Sequence, residues 1–140
     1  MLIRTSQDAR LAGDHLVEPE VRVLLADPDP ISRHVLGSAL REVGRFPVDC
    51  VDSRRPLREW PLDGMNVAVL VVGPQEDLTP AVRELVARKL RVLLLGVGWT
   101  RERLSAALAA GASGCLVKDT QVAGLAPAAQ AVASGHMVLS

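Results

Sequence analysis

Five short runs rich in valine and leucine recur along this chain at regular intervals, each separated from the next by a longer segment. They are "VRVLLA" (21–26), "FPVDCV" (46–51), "NVAVLVV" (66–72), "RVLLLGV" (91–97) and "SGCLV" (113–117). All but the second are nearly continuous in apolar residues, as strands must be when both faces of a parallel sheet are covered. Of the intervening segments, "PISRHVLGSALREV", "TPAVRELVARKL" and "TRERLSAALAAG" place Ile, Val and Leu three and four apart, the spacing of a helix packed on a sheet. "RRPLREW" is too short and too polar to predict a helix, and "QVAGLAPAAQAVASG" supplies the last one. The alternation predicts an α/β fold with a doubly wound, five-stranded parallel sheet and right-handed crossovers.

Local signals mark the ends of these elements. Thr79 before Pro80 predicts a helix N-cap followed by a first-turn proline, and Thr100 predicts another cap. Gly111 and Gly135 are expected to close helices in the left-handed conformation. Residues 1–19 match no strand pattern and are expected to form a loosely ordered extension before a domain spanning 20–140.

Composition narrows the function classes. A chain of 140 residues is long enough for one domain with a real core. Sixteen basic residues balance sixteen acidic ones, which argues against a polyanion-binding surface or attraction to a membrane. Cys50 and Cys115 lie inside apolar runs, not in a CxxC pair, so reduced thiols and a cytoplasmic location are expected. No signal segment and no apolar run of about 18 residues is present, so neither export nor membrane spanning is expected.

An open α/β sheet places its chemistry at the carboxyl ends of its strands. Asp27 ends the first run, and Asp29-Pro30 has the form of an N-cap with a first-turn proline. Lys118 ends the fifth run at the same rim. It reads either as an ion-pair partner of Asp27 or as a solvated surface lysine.

The order of these residues resembles the receiver domain of response regulators, in particular the NarL/FixJ type that carries a LuxR-like helix-turn-helix. The resemblance runs from Val21 to Ser140, through "VRVLLADPDPISR", "AALAAGASGCLVKD" and "LAPAAQAVASGHMVLS". It implies strand order 2-1-3-4-5, a phosphoryl-accepting aspartate at the end of the third strand, an acidic pair for magnesium, a Ser/Thr, an aromatic switch and a lysine. Carried over position by position, only Asp27 and Lys118 match. The second acid falls on Pro28, the acceptor within Val71, Val72 and Gly73, the Ser/Thr on Gly96 and the aromatic residue on Cys115. Glu76 and Asp77 come too late in the following loop and read as solvated acids.

A site without a metal-binding pair or a nucleophile has no route for phosphoryl transfer, so no enzymatic activity and no cofactor or metal is expected. Two functions fit this pattern. One is a phosphorylation-independent regulatory and dimerisation domain of a bacterial transcriptional regulator, with DNA bound by an output domain beyond Ser140. The other is a ligand-sensing pseudo-receiver whose vacated pocket holds a small molecule such as a pathway product, with Trp99 in "GVGWT" as a contact. The last helix carries no charged residue, and Ala128, Gln130, Ala131 and Ser134 are expected on its outer side as a homodimer face.

Overall fold

The computed structural model describes residues 20–118 and 122–140. The extension expected at 1–19 lies outside the described residues. The strands are β1 (Val23–Ala26), β2 (Val48–Val51), β3 (Val67–Val72), β4 (Arg91–Gly96), β5 (Gly114–Val117) and β6 (Val138–Leu139). The helices are α1 (Pro30–Glu42), α2 (Thr79–Ala87), α3 (Arg101–Ala109) and α4 (Leu125–Ala133). All strand pairs are parallel, and the order is β2-β1-β3-β4-β5-β6.

The continuous apolar runs follow from a sheet covered on two sides. Successive residues of a strand point to opposite faces, so a strand with two buried faces has no position for a polar side chain. Val23, Leu25, Val67, Val69, Leu93 and Leu95 meet Leu36 and Leu40 of α1 and Leu125, Ala129 and Val132 of α4. Leu24, Ala68, Leu70, Val92 and Leu94 pack on the other side with Val82 and Leu85 of α2 and Ala107 of α3.

Between β2 and β3 the segment "RRPLREW" forms one 3-10 turn, Leu57–Glu59, and no α-helix. Trp60 follows it and packs into the second core layer, with its indole N–H donated to the Arg55 carbonyl at 3.0 Å. Trp60 covers this part of the sheet together with the partly buried Leu57, Leu62 and Met65.

Most end signals act as expected. Asp29 caps α1 by accepting from the Ile31 and Ser32 amides, with Pro30 in the first turn. Thr100 caps α3 by accepting from the Arg103 amide. Gly111 and Gly135 take φ of 109° and 95°. Thr79 corrects the expectation. It is the first helical residue, Leu78 occupies the cap position, and the Thr79 amide is held by Asp77 Oδ1 at 3.0 Å.

The expected five strands are joined by a sixth. Val138 and Leu139 pair with Gly114 and Cys115, which explains the glycine at the start of β5. A Cβ at Gly114 would lie 2.7 Å from Leu93 Cδ1 and 2.8 Å from the Val138 carbonyl oxygen. Gly114→Ala is therefore expected to push β6 away from β5 and to lower stability by about 1–3 kcal/mol. Hydrogen exchange at the Val138 and Ser140 amides, which bond to the Ser113 and Cys115 carbonyls, should accelerate more than exchange in β1 or β3.

Candidate functional site at the carboxyl edge of the sheet

The sheet brings Asp27, Val71–Gly73, Gly96 and Lys118 to one edge, as the sequence predicts. Asp27 is fully buried. A buried carboxylate needs hydrogen-bond donors on its oxygens, and here the first turn of α1 provides them. Asp27 Oδ1 accepts from the Asp29 amide at 2.9 Å, and Oδ2 accepts from the Ser32 hydroxyl. The Asp27 carbonyl oxygen accepts from Arg33 at 2.6 Å. Neither Ser32 nor Arg33 is among the residues singled out in the sequence, although "DPDPISR" places both in the first turn of the helix that follows the acid.

The expected ion pair between Asp27 and Lys118 is not formed. Among the described residues no salt bridge joins them. The Asp27 oxygens point into α1, whereas Lys118 lines a cavity of about 180 Å³ with Leu36, Leu95, Leu116 and Leu125. Its amide donates to the Gly96 carbonyl at 2.8 Å, which continues the strand pairing of β4 and β5.

A second carboxylate at this edge, that of Asp52 just after β2, is also engaged. Arg54 holds it with two bonds, at 3.0 and 2.8 Å, and keeps the carboxyl well below the usual carboxylate range. Pro28 contributes no side-chain oxygen. Magnesium demands a near-octahedral set of oxygens. Among the described residues no group of three or more His, Cys, Asp or Glu side chains comes together to begin one. The residues present do not fit that ion.

At the end of β3, Val71 and Val72 are buried on opposite faces of the sheet, Val71 toward α1 and α4 and Val72 toward α2 and α3. Gly73 is tied on both sides of its backbone. Its amide donates to Glu76 Oε1 at 3.0 Å, and its carbonyl accepts from Arg103 at 2.9 Å. Glu76 and Asp77 are exposed, as expected of loop acids, yet each satisfies a backbone amide. Bonds from the Thr79 backbone and side chain hold the Asp77 carboxyl below its ordinary value.

Trp99 lies over the end of β4. A Cβ on Gly96 would sit 3.3 Å from Trp99 Cζ2, so the ring occupies the space that a side chain at 96 would fill. The indole N–H donates to the Leu116 carbonyl of β5 at 3.0 Å. The Arg103 guanidinium stands 5.1 Å from the ring centroid. One aromatic ring thus bridges β4 and β5, and one arginine fixes the ring to the end of β3. Cys115, the expected aromatic position, is buried in the layer facing α2 and α3, and burial pushes its thiol up to about 11.

Arg103→Ala removes the cation over the ring and the donor to Gly73 together. The change is expected to cost about 1–2 kcal/mol of stability and to shift Trp99 emission to longer wavelength, measured in a Trp60→Phe background. An unchanged emission maximum would show that the ring is held without Arg103.

No family model and no curated protein matches the chain. Solved structures do. The response regulator ChrA of a heme-sensing two-component system is 29% identical over 87% of this chain, with a TM-score of 0.67; the chain spans 61% of ChrA. The signal receiver domain assigned to response regulator NarL from Mycobacterium tuberculosis is 25% identical over 84% of this chain and 99% of its own length, with a TM-score of 0.72. A LuxR-family two-component response regulator from Aurantimonas sp. SI85-9A1 shares 22% identity, covering 86% of this chain and 90% of its own, with a TM-score of 0.74. The chain therefore has the CheY-like fold of response-regulator receiver domains, and LuxR/NarL-family receivers are among its structural neighbours.

Proposed function

We propose that this chain is a phosphorylation-independent regulatory and dimerisation receiver domain of a bacterial transcriptional regulator, with DNA bound by an output domain elsewhere in the regulator. The observation that carries the reading is the engagement of Asp27. The acid that resembles a magnesium ligand gives both oxygens to the first turn of α1, and Pro28, Val71–Gly73 and Gly96 offer neither metal ligand nor phosphoryl acceptor. Such an edge has no chemistry to run, so the domain acts through binding surfaces and not as an enzyme. Among the described residues no helix is long and apolar enough to cross a membrane.

The reading in which a small molecule occupies the vacated pocket has less support beside Lys118, and Trp99, its expected contact, lines a different cavity. The cavity beside Lys118 holds about 180 Å³, below the roughly 300–1,000 Å³ common for small-molecule sites.

Dimerisation is supported by the surface of α1 and α4. Ile31 and Val35, four residues apart on α1, are 76% and 46% exposed, and α1 packs beside the charge-free α4. Ala128 departs from the expected outer side, since it is buried in the first core layer. Gln130 and Ala131 remain half-exposed and Ser134 exposed, so the small outer face persists without Ala128. Its shape lets a second helix approach without displacing long hydrated side chains.

Acetyl phosphate, or beryllofluoride with magnesium, should leave mass, oligomeric state and spectra unchanged, and millimolar magnesium should leave the melting temperature where a generic salt leaves it. A phosphorylated peptide from β3 or its following loop would overturn the reading. Sedimentation should show a dimer at micromolar concentration, and Ala131→Glu should yield a folded monomer. A wild-type monomer at ~100 µM would leave too little association energy for the proposed interface.

A further inference from the structure

A second cavity, larger than the one beside Lys118, opens at the same carboxyl edge but on the opposite face of the sheet. It has a volume of about 330 Å³ and sits between α2, α3 and the loop that follows β3. Its walls are Val72 and Leu94 from the sheet, Val82 from α2, Leu78 from the loop, and Trp99 with Ala106 and Ala107 from the region of α3. The void has a cause in the sequence. Where α3 borders the cavity it presents the short side chains of Ala106, exposed, and Ala107, buried, which leave the space beside α2 open.

The mouth of the cavity has a definite charge pattern. Glu76, Asp77 and Glu102 line it, against one cation, Arg103. The Arg103 guanidinium is already committed to the Gly73 and Val97 carbonyls and to the face of Trp99. The N-termini of α2 and α3 also open here, each bringing about half a positive charge, so the acids outweigh the positive groups by only about one unit. An imbalance of one unit shifts the affinity of an anion or a cation by only about 1 kcal/mol in a water-like dielectric, so apolar contact dominates. Glu76 and Asp77 each accept a backbone amide on one oxygen, and with Glu102 they leave acceptor sites at the rim, so the group that suits them is a hydrogen-bond donor. The volume falls at the lower end of the range of small-molecule sites.

We propose that this cavity is a binding site for a neutral, largely apolar small molecule that carries a hydrogen-bond donor, seated between α2 and α3 with its donor at the acidic mouth. This keeps the small-molecule reading of the domain but moves the site to the other face of the sheet. It stands whether or not the domain accepts a phosphoryl group. Arg103 gives the site a route to the rest of the domain: it lines the cavity, stacks on Trp99 and bonds to the end of β3. A ligand that moves Arg103 also releases Gly73 and the ring covering Gly96.

The test is an NMR titration of the isotope-labelled chain at neutral pH with 2-naphthol and, separately, 2-naphthoate, which share a ring system and differ in charge and in the hydrogen-bond donor that only the naphthol carries. 2-Naphthol is expected to shift the amides of Leu78, Thr79, Val82 and Ala106 saturably. 2-Naphthoate should bind about fivefold more weakly, the factor expected from one unfavourable charge contact in a water-like dielectric. Ala106→Phe, at a solvent-exposed helical position, should fill the cavity and abolish the naphthol shifts while leaving the β1 and β3 amides in place. If that variant does not fold, Glu102→Gln supplies the second test, and it should narrow the gap between the two ligands. No saturable shift up to the solubility limit, equal binding of the two ligands, or shifts centred on Leu36, Leu116 and Leu125 beside Lys118 would each overturn the proposal. An unchanged naphthol titration in folded Ala106→Phe would do the same. None of these outcomes bears on the phosphodonor experiment, so the two readings fail separately.

Discussion

A fully buried carboxylate at the junction of β1 and α1 sets the terms for the edge of this sheet. Removed from water, Asp27 requires donors on both oxygens, and leaving one empty would cost on the order of 1–3 kcal/mol. The Asp29 amide and the Ser32 hydroxyl meet that need, and both are fixed by the start of α1. Pro30 and the Asp29 cap set the direction of the helix before its interior hydrogen bonds begin. The acid is thus a bracket between strand and helix. Each carboxylate oxygen thereby accepts one bond from the first turn of the helix, which fixes the orientation of the acid.

The other strand ends are closed by equivalent means. Gly73 is held by Glu76 on its amide and Arg103 on its carbonyl, Asp52 is clamped by Arg54, and Trp99 spans β4 and β5 above Gly96. Each contact lies within the chain, and together they satisfy groups that a ligand-bound edge would leave open. The glycine at 96 and the tryptophan at 99 form one unit, because the ring needs the missing side chain and the missing side chain leaves space for the ring.

The strands were legible because a sheet buried on both faces leaves no polar position, and β1, β3, β4 and β5 each lie within a residue or two of their apolar runs. Caps at Asp29 and Thr100 were legible because they depend on local chemistry. β6 was not, since two residues carry no period, and its pairing depends on Gly114, far away in sequence. The Asp27–Lys118 pair failed for a related reason. Reaching the same sheet edge does not fix where a side chain points, and the nearby Ser32 and the Asp29 amide captured the carboxylate first. Ala128 was misplaced because a helix of alanines shows no contrast between its inner and outer sides, so its rotation about its own axis cannot be read from hydropathy.

The two faces of the sheet differ in how they are filled, and that difference organises the molecule. Toward α1 and α4, leucines and valines from the helices meet the strands directly, and the small residues left over lie on the outside of α4, where close approach by another chain is sterically cheap. Toward α2 and α3, one 3-10 turn and Trp60 stand where a helix is missing, and alanines line α3 where larger side chains would reach α2. Unfilled volume therefore collects on the second face, near the end of β3, and Arg103 connects that volume to the strand ends. We propose that free energy enters from outside at the small-residue face of α4 and at the cavity beside α3.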